Sequence, residues 1–118
     1  MRGPGHGLRH LALKTRDIRA TERFYIDVLG LETAFPHRGM IFLRTPGGDD
    51  LLNFVGTRQR SDLRGGSFDH FGLRVPRGRW RALRERLRRA RVRVTARRGR
   101  SAVYILDPNG YTIELYVD

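Results

Sequence analysis

The feature that most constrains this chain is an internal repeat. Residues 9–14 read as a strand, 18–29 as a helix, and 31–35, 40–45 and 51–55 as three short strands. The same order returns with a strand at 68–75, a helix at 78–91, and strands at 92–96, 102–106 and 111–117. The helices are read from apolar residues that recur on one face, Ile18, Phe24, Tyr25, Val28 and Leu29 in the first and Trp80, Leu83, Leu87 and Ala90 in the second. Asp17 offers an N-cap, and Gly30 stands where a left-handed C-cap is expected. The residues repeat as well as the elements. Asp69-His70-Phe71-Gly72-Leu73 echoes Arg9-His10-Leu11-Ala12-Leu13, and Asp107-Pro108-Asn109-Gly110 before Ile113-Glu114 echoes Thr45-Pro46-Gly47-Gly48 before Leu52-Asn53. His10 is thereby related to His70, and Asn53 to Glu114. Each half has only about 50 residues, too few to bury a sheet face alone, so the halves should pack together. The expectation is one α+β domain over 1–118, with βαβββ modules at 8–57 and 68–118 joined by a polar linker at 58–67.

Composition narrows the class. The chain has 118 residues, of which 39% are hydrophobic, enough for a core without disulfide staples. It contains no cysteine, which excludes thiolate catalysis, iron–sulfur clusters and cysteine-based zinc sites. No apolar run approaches the roughly 20 residues that span a bilayer, and residues 1–7 lack the apolar segment of a secretory signal. A cytoplasmic protein is expected. The formal charge is +12, and Lys14 is the one lysine among 24 basic residues. The arginines run along the whole chain, although 77–100 is densest, whereas nucleic-acid binders more often gather them on one face beside aromatics or a recognition helix. Nucleic acid is therefore not the expected partner. The positive field favours anionic small molecules instead.

Two histidines at matching places in a repeat, with a carboxylate on the last strand, suggest a divalent metal site. Imidazole and carboxylate suit Fe²⁺, Mn²⁺, Ni²⁺, Co²⁺ or Zn²⁺, and two His with one Glu leave positions open for substrate. The turn chemistry tests whether such groups converge. Asp107-Pro108-Asn109-Gly110 fits a type I turn closing a three-residue hairpin with a bulge, which pairs Asp107 with Tyr111 and Tyr104 with Glu114. One face then carries Tyr104, Thr112, Glu114 and Tyr116, and the other is uniformly apolar: Val103, Ile105, Ile113, Leu115 and Val117. A carboxylate on such a face is costly unless it is paired or metal-bound. Spacing alone leaves open whether Glu114 meets a metal or one of the arginines. His6, in a Gly-rich leader, and His37, in a Pro/Gly turn, read as surface residues.

From Leu8 to Val117 the chain resembles the vicinal oxygen chelate superfamily, which includes glyoxalase I, bleomycin-resistance proteins, fosfomycin-resistance enzymes and extradiol dioxygenases. His10-Leu-Ala-Leu, Phe24-Tyr-Ile-Asp-Val-Leu-Gly-Leu31, Asp69-His70-Phe71-Gly72-Leu73 and Asp107-Pro-Asn-Gly-Tyr-Thr-Ile-Glu-Leu115 carry the resemblance. It implies two βαβββ modules curled into an open, eight-stranded half-barrel, with His10, His70 and Glu114 as metal ligands. It also implies a homodimer, in which His10 joins His70 and Glu114 of its own chain or of its partner. Tyr104, ten residues before Glu114, matches the spacing of an active-site Tyr in two branches and is expected to assist proton movement. Asn53 stands where other members place a Glu or Gln ligand, and is expected to orient substrate or a metal-bound water. Arg74 and Arg100 are candidate contacts for an anionic substrate.

The chain also departs from each named branch. Asn53 departs from glyoxalase I, and no acid/base histidine lies near Val55 as in extradiol enzymes. Ala12 replaces the Thr of fosfomycin-resistance enzymes. The expected activity is that of a metal-dependent enzyme acting on a small oxygen-rich molecule. The alternative is a non-catalytic, antibiotic-sequestering dimer of the bleomycin-resistance type, whose members lack the metal ligands.

Overall fold

The computed structural model describes residues 3–59 and 66–117, so most of the expected linker at 58–67 lies outside the described residues. The first half contains β1 (His10–Thr15), α1 (Ile18–Arg23), β2 (Glu32–Phe35), β3 (Met40–Arg44) and β4 (Leu51–Gly56). The second contains β5 (Phe71–Arg74), α2 (Trp80–Arg89), β6 (Val94–Arg98), β7 (Ala102–Leu106) and β8 (Thr112–Tyr116). Each half forms a four-stranded mixed sheet with the same order, β1-β4-β3-β2 and β5-β8-β7-β6. The first strand of each half runs parallel to the last, and the other pairs are antiparallel. The repeat in the sequence is therefore a repeat of topology. Among the described residues no helix is long and apolar enough to cross a membrane.

The expected helix at 18–29 is divided. Asp17 caps α1 by accepting a hydrogen bond from the Ala20 amide at 3.0 Å. After Arg23 the backbone widens into a π turn over Phe24–Val28, with the Leu29 amide donating to the Phe24 carbonyl at 3.3 Å. Apolar periodicity does not distinguish these two windings. The π turn carries Tyr25, which is fully buried and stacks at a tilt on Phe54 with ring centroids 5.0 Å apart.

Both sheets turn an apolar face into one core, where Leu43, Phe54, Ile105, Ile113 and Leu115 join Leu83 and Leu87 of α2. The β7–β8 turn locks the halves together. Tyr25 donates to Asp107 Oδ2 at 2.8 Å, and the amides of Asn109 and Tyr111 donate to Oδ1 at 2.8 and 2.9 Å. Asn109 accepts from Thr15 Oγ1 at 2.6 Å and donates to Thr21 Oγ1 at 3.1 Å. Tyr111 donates its hydroxyl to the Lys14 carbonyl at 2.8 Å. A single turn of the second half thus satisfies the ends of β1 and α1 in the first.

Gly110 closes that turn with φ +91°, its amide donating to the Asp107 carbonyl at 3.0 Å. A Cβ there forces a left-handed strain. Gly110→Ala should cost at least about 1 kcal/mol, read as a fall of about 4 °C or more in Tm by calorimetry.

Candidate functional site

The bulged hairpin sets the geometry of the site. Leu106 pairs with Thr112 and Tyr104 with Glu114, the register that the turn residues predict. Val103, Ile105, Ile113 and Leu115 accordingly enter the core, and Tyr104 and Glu114 occupy the opposite face of the second sheet. The Tyr104 hydroxyl donates to Glu114 Oε1 at 3.1 Å. His70, just before β5, brings Nε2 to the same oxygen at 3.1 Å, and its ring meets Tyr104 edge-on at 5.6 Å. On its other side His70 Nδ1 lies 2.5 Å from Asp69 Oδ2. Glu114 Oε2 accepts from Arg98 Nη2 at 2.7 Å.

These contacts explain the electrostatics. Both ring nitrogens of His70 face carboxylates, so its pKa is raised, chiefly by the hydrogen bond to Asp69. The Glu114 carboxyl is held below its usual range, first by Arg98 and then also by the bonds from Tyr104 and His70. Asp69 has a second consequence. A carboxylate on Nδ1 fixes a proton there and aims Nε2 at Glu114, an arrangement also common behind metal-bound histidines.

The first sheet presents a matching but separate face. Leu11 and Leu13 of β1 pack on the core, which puts His10 and Ala12 on the other side. Asn53 lies opposite both Ala12 and Phe42, so it shares that side. Asn53 is 7% exposed, and its Oδ1 has no hydrogen-bond partner among the described residues. An orphaned buried acceptor is uncommon and invites a donor or a cation. Next to it, Phe35 and Phe42 stack with centroids 4.4 Å apart, and Phe35 remains 45% exposed.

The chain by itself gathers two of the three expected ligands. His70 and Glu114 adjoin, but no set of three His, Asp or Glu residues converges as a metal site among the described residues. His10 lies on the other sheet, and both ligand-bearing faces are turned away from the shared core. The donor types suit a divalent cation, and the orphaned Asn53 oxygen adds a candidate on the His10 face. Of the arginines, Arg74 pairs with Tyr116 on the Glu114 face, whereas Arg100 sits in the exposed turn between β6 and β7. Arg98 reaches the carboxylate instead, and it was not singled out from the sequence. Its signal was a register one: the turn around Gly99 pairs Arg98 with Ala102, two residues from Tyr104 on the same face.

A model of the Glyoxalase/Bleomycin resistance protein/Dioxygenase superfamily matches residues 7–115. The chain belongs to this superfamily. Solved structures of the superfamily share its fold at low identity. A glyoxalase/dioxygenase from Nostoc punctiforme superposes with a TM-score of 0.80 at 18% identity, covering 100% of this chain and 96% of the other. The lactoylglutathione lyase from Agrobacterium tumefaciens gives 0.69 at 22%, covering 98% and 96%. The fosfomycin resistance protein FosX from Mesorhizobium loti gives 0.73 at 19%, covering 96% and 92%. No curated protein matches the chain.

Proposed function

We propose that this superfamily member is a metal-dependent enzyme whose site is completed between two copies of the chain. The observation that carries the reading is the shared Glu114 oxygen, which His70 Nε2 and the Tyr104 hydroxyl both approach at 3.1 Å. His10, His70 and Glu114 would hold a divalent cation. When bound, such an ion supplies Lewis-acid stabilisation of an oxyanion that develops on the substrate. β1 and β5 each have one strand neighbour among the described residues, so both present a free edge beside a ligand histidine. A twofold partner that meets these edges brings the His10 face of one chain to the Glu114 face of the other, and the symmetry makes two equal sites.

The remaining residues suit a small anionic substrate. The Arg98 side chain is 56% exposed beside the carboxylate and offers guanidinium donors to a substrate anion. Arg74 lies farther along the same face, and Arg100 stands in the exposed β6–β7 turn. Asn53 contributes an acceptor that holds a substrate hydroxyl. Tyr104 holds or moves a proton at the reacting oxygen. Its variant Tyr104→Phe should keep the metal within about threefold and lose about 100-fold or more in turnover.

Elemental mass spectrometry of protein purified without chelator tests the reading. About one divalent ion per chain is expected, with iron favouring oxygen chemistry and nickel or zinc favouring isomerase or lyase chemistry. Trace metal alone would end the enzymatic reading. A sequestering dimer is then the second reading, favoured by the exposed Phe35 ring, stacked on the half-buried Phe42, as a platform for a planar drug. It predicts tight binding with the ligand recovered unchanged.

A further inference from the structure

We propose that a second site, independent of the metal face, binds an organic acid with an unbranched apolar tail. A cleft of about 430 Å³ opens where the turn after Phe24–Val28, the end of β5 and helix α2 meet. Its walls include Leu31, Leu73, Leu83 and Leu115, and its exposed margin carries Arg74, Arg79 and Arg86. No acidic side chain lines it among the described residues. An apolar cavity with a few charges of one sign at the rim selects an amphiphile of the opposite sign, and this volume takes a chain of roughly ten carbons.

Arg86 and Arg79 differ in how they are held. Arg86 donates from Nη2 to the Asp27 carbonyl at 2.8 Å, which fixes the guanidinium and leaves further N–H groups for a ligand. Gly30, at φ +79°, makes room for it, because a Cβ there would stand 3.2 Å from Arg86 Nη1. The Arg79 side chain makes no hydrogen bond or ion pair among the described residues and stands at the N-terminus of α2, whose first turn has no acid. The helix dipole therefore adds to its positive charge instead of being neutralised. Leu115 and Glu114 are successive residues of β8 and point to opposite faces, so the cleft and the metal face lie on opposite sides of that strand, and Arg74 at the end of β5 borders both.

The test is calorimetric titration of the full chain with decanoate, and with decanol as the uncharged analogue. One decanoate per chain is expected, with decanol about tenfold weaker or worse. Ala82→Trp, an exposed helix position on the cleft wall, should abolish binding. Arg79→Glu should weaken it about tenfold or more, whereas Arg81→Glu, which changes net charge equally outside the cleft, should leave it within about twofold. Glu114→Gln should also leave it unchanged, so failure of the metal reading would not remove this site. The proposal is overturned if wild type takes up no decanoate, if decanol binds equally well, if Ala82→Trp binds like wild type, or if Arg79→Glu and Arg81→Glu behave alike.

Discussion

Glu114→Ala is expected to lower divalent-metal affinity at least about 100-fold while the fold persists, because loss of even an outer-shell partner commonly costs 10–100-fold. The side chain is 14% exposed, on the face away from the core, so its truncation opens no core cavity. His70→Ala should reproduce the loss, since its Nε2 faces the same oxygen at 3.1 Å. Arg98→Gln should not, because it removes a guanidinium from Glu114 Oε2 and leaves every proposed ligand in place. Isothermal titration with Mn²⁺ and Ni²⁺ reads all three. If Glu114 were merely an ion-pair partner for Arg98, Glu114→Ala and Arg98→Gln would both bind metal like wild type.

The second large effect concerns stability. Asp107→Ala should cost about 3–5 kcal/mol, since it strips the acceptor from the Tyr25 hydroxyl, the Asn109 and Tyr111 amides and the Asn109 side chain in a buried seam. Urea unfolding followed by tryptophan fluorescence reads it. The pH dependence has a definite sign. Burial pushes the Asp107 carboxyl up, against the pull of its hydrogen bonds. A carboxyl with a raised folded pKa contributes stability that is fully present below its unfolded value, near 3.9, and lost as pH rises through the folded value. The wild-type margin over Asp107→Asn should therefore shrink from about pH 3 toward neutrality. A margin that widens instead would mean that the hydrogen bonds outweigh the desolvation. Glu114, whose pKa is lowered, has the opposite sign: its contribution is present above the unfolded value and fades as pH falls through the folded one.

Much of this architecture was readable because local chemistry and global repeat agree. Asp107-Pro108-Asn109-Gly110 specified a bulged turn, the turn specified the register, and the register put Tyr104 beside Glu114 with Ile105 and Ile113 in the core. Three things were less legible. The π winding after Arg23 leaves the apolar spacing of 18–29 intact, so periodicity reads one continuous helix. Asp107 appeared as a turn former, yet its carboxylate also anchors Tyr25, 82 positions away, a contact that exists only after the halves pack. Arg98 was hidden among the other arginines, where charge carries no positional information and only strand pairing with Ala102 marks it out. The separation of His10 from His70 has the same origin. The repeat makes their positions equivalent within two sheets, and equivalence across a shared core turns them to opposite outsides.

The most direct test of a site built between chains is the metal content of a mixed dimer. His10→Ala and Glu114→Ala chains are unfolded together, refolded as a mixture, and assayed for bound metal. Neither parent alone should hold stoichiometric metal. A heterodimer restores one intact pair of faces, so random assortment should recover about one quarter of an ion per chain. The contrary result is a mixture that stays as empty as its parents while wild type treated in the same way regains about one ion per chain. In that case the ligands do not meet across two chains, and a metal centre shared between subunits is ruled out.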